Sequence, residues 1–412
     1  MRLVFGLGRS GLGVLRFLAR RGERAAFYDD RPKPAEVELA RALGHVQDPD
    51  PAPGRYREVI AAPGVPLEHP RLAALGAPVI GEVELAWREG TAEILGVTGT
   101  AGKTSTTHYL AHVLRAAGIP AEPGGNTGTP LVDVVDRTEV AVAELSSFQL
   151  ERIQGFRPRV AVLLNLGVDH LDRHKTLEAY HRAKLRILEN LTAEDAVVYN
   201  ASDAKIARAV AAVPARTYPF FPGPDADRAN REAARLAAQA YLELRGLPYD
   251  PTRLAEAARK APGVPGRFEA FHRAGRIVFI DDSIATRTLA VEAALKRAPA
   301  PVAWILGGLD KGAQPERLQP LVEQKVAVIL AIGKDGARLA RPFAGSVPVV
   351  VIEERGKAAL VRAVSEALAW IEEGSVLLAP MAASFDMFPN YQARSRAFRE
   401  AVEEVLWTPS SS

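Results

Sequence analysis

Residues Gly96-Val-Thr-Gly99-Thr-Ala-Gly102-Lys103-Thr104 place glycines, a lysine and a threonine where a short apolar run gives way to a helical pattern. That order suits a polyphosphate. Amides of a glycine-rich loop at a helix N-terminus cradle phosphate oxygens, the lysine ammonium neutralises β and γ oxygens, and the threonine hydroxyl ligates Mg2+. The glycines here fall every third residue, and Val97 stands where the common phosphate loop has its first glycine. Gly-Lys-Thr at a strand–helix junction is rarely mere punctuation, so a nucleotide polyphosphate is the expected ligand. The residues expected to hold it are Gly99, Thr100, Ala101, Gly102, Lys103, Thr104 and Ser105.

A second glycine loop, Gly6-Leu-Gly8-Arg9-Ser10-Gly11, follows the first strand-like run and opens a helix. Its amides can approach a pyrophosphate, and Asp29 and Asp30, at the end of the next predicted strand, can meet a ribose hydroxyl. Taken bare, this is a dinucleotide pattern, and a dehydrogenase is the standard inference. Any nucleoside diphosphate suits the same loop, and a dehydrogenase leaves the Lys103 loop unexplained. Other groups with chemistry are Glu144 at the end of an apolar strand, and His170 within Asp169-His170-Leu-Asp172-Arg173. Lys184 stands between Arg182 and Arg186, where a solvated helix face is the ordinary reading. His108 and His112 have the spacing of a metal pair, but no third ligand accompanies them and they receive no role.

Short β-branched runs alternating with helical patterns must position these groups, which predicts an α/β fold with parallel sheets. Expected strands are Leu3–Leu7, Glu93–Val97, Val140–Leu145, Val160–Leu164, Ala196–Tyr199, Ile277–Asp281, Val302–Leu306, Val326–Ile332 and Val376–Leu378. Expected helices include Lys103–Ala117, Leu177–Leu191 and Ala229–Leu244. Breaks fall near Gly81–Gly90 and at Ala261-Pro-Gly-Val-Pro-Gly266. They predict three domains: 1–81, Rossmann-like; 82–263, a central P-loop ATPase-type domain with a parallel sheet; and 264–412, again Rossmann-like. The second break is expected to hinge.

Composition bounds the rest. At 412 residues, 48% hydrophobic and 25% charged, the chain is ordinary for a globular protein. With no cysteine, disulfides and thiolate metal sites are excluded, which fits a reducing compartment. The net charge of +3 is dispersed, so neither nucleic acid nor membrane is an expected partner. No apolar run has the length of a membrane span, and Gly6, Gly8, Gly11 and Gly13 interrupt the opening apolar stretch, unlike a signal peptide. A cytoplasmic monomer is expected.

The spacing Thr98-Gly-Thr-Ala-Gly-Lys103-Thr104 resembles the nucleotide loop of the Mur ligases and folylpolyglutamate synthases. Further landmarks follow in family order: Gly124-Gly-Asn126-Thr-Gly128, Glu144-Leu-Ser-Ser-Phe-Gln149, Asn165-Leu-Gly-Val-Asp169-His170, Tyr180-His-Arg-Ala-Lys184, Gly266-Arg267-Phe-Glu269, Asp281-Asp282-Ser283, Gly307-Gly308-Leu-Asp310-Lys311 and Ser384-Phe385-Asp386. The Glu144–Gln149 segment is similar to the D-glutamate-adding branch of the Mur ligase family, and the resemblance runs essentially end to end.

This resemblance implies an ATP-dependent ligase that turns the L-alanine carboxylate of UDP-N-acetylmuramoyl-L-alanine into an acyl phosphate and couples it to D-glutamate. It gives the UDP substrate to Gly8, Arg9, Ser10, Asp29, Asp30, Gly64, Asn126 and Gln149. Thr104 and Glu144 would hold one Mg2+, and His170 with a carbamylated Lys184 a second. Asn230, Arg267 and Asp282 join the ATP set. Lys311, Ser384 and Phe385, with Thr286 and Tyr391, would grip D-glutamate. Lys103, Glu144, His170, Lys184 and Lys311 are the implied catalytic residues. Three positions depart from the family pattern: Ala101 and Ala233 stand in place of asparagines, and Ile284 in place of a lysine. Arg287, on a helix expected to open near Thr286, is the nearest replacement for that lost charge.

Overall fold

The computed structural model describes residues 1–407, without the side chains of Leu171 and Asp172. The chain forms two compact units, Met1–Pro262 and Gly263 onward. The first unit holds two parallel sheets. One consists of β1 (Arg2–Phe5), β2 (Ala26–Tyr28), β3 (Val46–Gln47), β4 (Glu58–Ala61) and β5 (Val79–Ile80), in the order β3-β2-β1-β4-β5. β1 stops at Phe5, short of the expected Leu7, because Gly6 turns the chain at φ +93°. The turn is tight enough that a Cβ on Gly11 would lie 2.0 Å from the Gly6 carbonyl oxygen. β2 and β4 flank β1 on opposite sides, so the loops after β1 and β4 diverge around a crevice, the usual ligand position in an open α/β sheet.

The second sheet holds β6 (Glu93–Thr98), β7 (Ala121–Gly125), β8 (Val140–Glu144), β9 (Val160–Leu163), β10 (Ala196–Asn200) and β11 (Arg216–Phe220), in the order β11-β10-β9-β6-β8-β7. The helix Lys103–Ala116, which continues β6, packs Leu110, Val113 and Leu114 against Ala234, Ala237 and Tyr241 of the helix Ala226–Leu244 on one face. Leu150, Ile153, Ile187 and Leu188, from the segments after β8 and β9, cover the other face. The loop after β6 therefore emerges between two strands whose continuations leave on the opposite face. Val4, Leu15 and Phe17 of the first sheet layer belong to that same second cluster, so the two sheets share one continuous core.

The expected helix Leu177–Leu191 is instead an α-helix, Leu177–Leu185, followed by a 3-10 turn, Arg186–Leu188. The change of pitch coincides with Arg186, whose guanidinium donates to the carbonyls of Leu150, Glu151 and Ile153. Ile187 and Leu188 stay buried, so the apolar periodicity runs through both pieces.

The second unit carries one sheet of β12 (Glu269–Ala274), β13 (Arg276–Asp281), β14 (Val302–Gly307), β15 (Val326–Ile332), β16 (Val349–Val351) and β17 (Glu373–Leu378), ordered β12-β13-β17-β14-β15-β16. All neighbours are parallel except the edge pair β12–β13. Helices Thr288–Arg297, Gln319–Lys325 and Gly336–Ala340 cover one face, and Gly356–Trp370 and Tyr391–Trp407 the other. The chain thus leaves β14 and its neighbour β17 toward opposite faces, and their ends frame a crevice. Arg287 is not in the first turn of the helix expected near Thr286. That helix starts at Thr288, and Arg287 is its exposed, extended N-cap.

Candidate active site

The loop after β6 is held from both sides. Gly102 takes φ +84°, and a Cβ there would fall 2.4 Å from Asn230 Oδ1, so only glycine lets the helix begin against Asn230. Asn165, just beyond β9, accepts at Oδ1 from the N–H groups of Thr100 (3.0 Å) and Ala101 (2.9 Å) and donates to the Ala101 carbonyl (3.2 Å). The Thr100 hydroxyl meets the Gly167 amide (2.8 Å) and the Tyr180 hydroxyl (3.2 Å).

Two cations converge on this loop. Lys103 Nζ donates to the carbonyls of Gly99 (2.8 Å) and Thr100 (3.1 Å), and Lys184 Nζ donates to the same Gly99 oxygen at 2.8 Å. Lys184 is no solvated-face residue; it is 1% exposed, because the helix Leu177–Leu185 turns Tyr180 and Lys184, four residues apart, toward the loop. Burial first, and then the charge of Lys103, push the Lys184 amine down to about 7.

Glu144, at the end of β8, is buried and accepts from the Thr104 hydroxyl (2.7 Å), the Thr127 hydroxyl (2.8 Å) and Asn126 Nδ2 (3.1 Å). A carboxylate beside a threonine hydroxyl at a helix N-terminus is a hard oxygen donor pair, which fits a divalent cation. Among the described residues no three His, Cys, Asp or Glu side chains form a cage. His170 adopts φ +52°, with its ring 4.8 Å from that of Phe148 and 6.2 Å from that of Tyr180. Phe148 also stacks on His174, which hydrogen-bonds Ser147 at 2.9 Å, so the Glu144–Gln149 and His170 segments are packed together.

In the first sheet, Asp29 accepts from the amides of Leu7 (2.7 Å) and Arg31 (2.8 Å), bracing the glycine loop. Asp30 takes the Tyr28 hydroxyl (2.8 Å) and His69 (2.9 Å), which with Arg71 hold its carboxyl below the usual range against the upward push of partial burial. The Gly64 and Val65 carbonyls face Arg173. A cleft of about 220 Å3 brings Arg9 and Ser10 together with Asn126, Gln149 and Glu82. Gln149 is fixed by a capping box with Ser146. The two glycine loops are thus linked through Asn126, which touches the cleft and Glu144 alike.

The second unit collects its own set. Leu309 and Ala383 form a bridge between the loops after β14 and β17, and these loops carry Lys311, Ser384 and Phe385. Lys311 Nζ lies 5.2 Å from the centre of the exposed Phe385 ring, while Ser384 is buried and its carbonyl accepts from Met387 and Phe388. Asp282 accepts from the Phe268 amide at 3.0 Å and so holds a non-glycine turn at φ +43° beside Arg267. Burial pushes its carboxyl up to about 7, against the pull of that amide and Arg267. Thr286 is half-buried just before the helix N-cap, and Tyr391 opens the last helix. Arg394 lies fully buried beneath these loops, donating to the carbonyls of Ser283 (2.9 Å) and Ala382 (3.1 Å).

Sequence reasoning assigned no role to Asn165, Thr127, Glu82 or Arg394. Asn165 alone had a usable signal, an asparagine closing an apolar strand. The three departures from the family pattern lie in different surroundings. Ala233 is fully buried in the core under the Lys103–Ala116 helix, and Ala101 is exposed with its backbone taken by Asn165. Ile284 is half-buried, its amide bonded to the Gly266 carbonyl.

Residues 1–81 match the Mur ligase MurD-like N-terminal domain, and residues 97–239 match the Mur ligase middle domain. A UDP-N-acetylmuramoylalanine--D-glutamate ligase of Thermus thermophilus is 62% identical over 419 residues, covering 100% of both chains. The ligase of the same name from Deinococcus radiodurans is 47% identical over 436 residues, covering 100% of this chain and 93% of its own. The solved structure of MurF ligase from Thermotoga maritima in complex with ADP superposes with a TM-score of 0.54 at 16% identity, over 93% of this chain and 95% of that one, a likeness of fold. From its first residues through both glycine loops, this chain belongs to the Mur ligase family.

Proposed function

We propose that the chain is an ATP-dependent ligase joining D-glutamate to UDP-N-acetylmuramoyl-L-alanine, a cytoplasmic step in building a peptidoglycan precursor. The observation that carries this reading is the 62% identity to the Thermus ligase of that name across the whole of both chains. No described helix is long and apolar enough to cross a membrane.

A carboxylate is a poor electrophile, so ATP first phosphorylates the L-alanine carboxylate. The D-glutamate amine then attacks the acyl phosphate, and the tetrahedral intermediate expels phosphate. Lys103 would stabilise charge developing on the transferred phosphoryl group, with the amides of residues 102–105 at the helix start as preorganised donors. Thr104 and Glu144 would hold one divalent cation, and His170 with Lys184 a second, to neutralise the two polyanions brought together. Burial and the charge of Lys103 favour the free amine of Lys184, which would add to CO2 as a carbamate with release of one proton; the product would be an anionic oxygen donor beside Lys103. The cleft of Arg9, Ser10, Asn126 and Gln149, with Gly8, Asp29, Asp30 and Gly64, would bind the UDP substrate. Lys311 and Ser384, with Phe385, Thr286 and Tyr391, would hold D-glutamate.

Phosphate release from ATP is expected only with both UDP-N-acetylmuramoyl-L-alanine and D-glutamate present. If L-lysine, meso-diaminopimelate or L-alanine served equally well, the assignment of the amino acid would be wrong.

A further inference from the structure

Glu82 opens the helix Glu82–Glu89 and is 2% exposed, yet it lines the cleft that holds Arg9 and Ser10. Its Oε2 lies 2.6 Å from Ser10 Oγ, and its Oε1 accepts the Val132 amide at 3.3 Å. None of its hydrogen bonds comes from a cation. The charged groups around it are few. Arg9 shares the cleft; Asp133, on the packed 3-10 turn Leu131–Asp133, is paired with Arg16 and Arg20; Arg152 packs on Gly81 with its guanidinium on the Val65 and Pro66 carbonyls.

A serine hydroxyl has a single proton. Beside a carboxylate, Ser10 spends that proton on Glu82 and shows the cleft only lone pairs, which an anion avoids. Beside a carboxylic acid, Ser10 accepts from Glu82 and its own proton is free for a ligand. The cleft also adjoins the N-terminus of the 12-residue helix Arg9–Arg20, where unpaired N–H groups favour anions.

We propose that Glu82 is a positioning residue of the cleft, orienting the Ser10 hydroxyl so that it donates to a pyrophosphate oxygen. This rests on reading the cleft as the UDP-substrate site. Burial raises the Glu82 carboxyl above the usual range and Asp133 adds to the rise, against the pull of the bonds from Ser10 and from the Val132 and Leu131 amides. Substrate affinity then falls as rising pH ionises Glu82.

The test is calorimetric affinity for UDP-N-acetylmuramoyl-L-alanine from about pH 6 to about pH 8.5, a window in which neither its pyrophosphate diester nor its carboxylate titrates. The wild type is expected to weaken as pH rises, by about tenfold once Glu82 is ionised, the worth of one hydrogen bond to a charged group, and a wild type with no slope overturns the proposal. Glu82→Gln, whose amide donates to Ser10 at every pH, is expected to remove the slope. Ser10→Ala is expected to be flat and weak. A Glu82→Gln variant that keeps the wild-type slope, or binds about tenfold more weakly at every pH, overturns the proposal. Should that variant not fold, equal slopes for wild type and Ser10→Ala overturn it instead. A wild type that binds no UDP substrate at any pH overturns the site reading itself.

Discussion

Lys103 and Lys184 share one carbonyl acceptor but carry different electrostatic burdens. Lys103 is half-buried at the helix start, and in the proposed reaction its loss would remove a cation from developing phosphoryl charge, worth several kcal/mol at such sites. Lys103→Ala is expected to lower ligation by at least about a hundredfold while the calorimetric affinity for the UDP substrate stays within about twofold, since Lys103 does not line that cleft. Comparable loss of both would contradict this partition. Lys184 has its amine pushed down to about 7, below its ordinary value when unfolded. Between those two values the unfolded chain binds more protons than the folded one, so this residue makes stability rise with pH, by at most about 1.4 kcal/mol per unit. Lys184→Met should flatten that rise in denaturant midpoints from pH 7 upward and abolish ligation. Gly99 keeps its bond from Lys103, so no buried carbonyl is stranded. Asp282 runs the other way. Its raised carboxyl, about 7, contributes stability that is full below the ordinary carboxylate range and lost as pH rises through 7. Asp282→Asn should remove that loss and keep the bond to the Phe268 amide.

At the level of elements, the phosphate loop is shaped by its neighbours as much as by its own glycines. The Asn165 side chain makes three hydrogen bonds to residues 100 and 101, and its main-chain carbonyl also accepts from the Thr100 amide. Asn165→Ala is expected to raise the KM for ATP about tenfold, with the melting temperature reduced by only a few degrees. A large fall in stability with unchanged KM would make Asn165 a fold determinant only. The same logic explains which elements were readable. β6, β8, β9 and β14 are continuous apolar runs because both faces of their sheets are covered. β7, Ala121–Gly125, contains proline and two glycines and carries no such signal; it is a strand because β8 pairs with it along its whole length.

For the whole molecule, the two-unit division has a direct consequence. The first unit has its own apolar clusters, one of them common to both its sheets, and contains both glycine loops. Residues 1–262 produced alone are expected to fold cooperatively and bind the UDP substrate within about threefold of the full chain, with no ligation. An unfolded or non-binding fragment would show that the first unit depends on the second.

The sequence by itself determined the α/β class and made residues 99–105 candidates for phosphate chemistry and Glu144 a candidate for the site, because these rest on local patterns: glycine spacing, strand–loop–helix order, a carboxylate closing an apolar run. It left Lys184 ambiguous, since a lysine between two arginines looks solvated until the helix is docked. Only the tertiary structure decided that Lys184 and Lys103 meet at one carbonyl, and that Asn126 joins the Ser10 cleft to Glu144. It alone revealed that Glu82, a routine helix-opening glutamate by sequence, is buried against Ser10, 72 residues away in the chain. Burial and charge proximity arise from which strands lie side by side, and strand order is set by packing over long separations rather than by any window of residues.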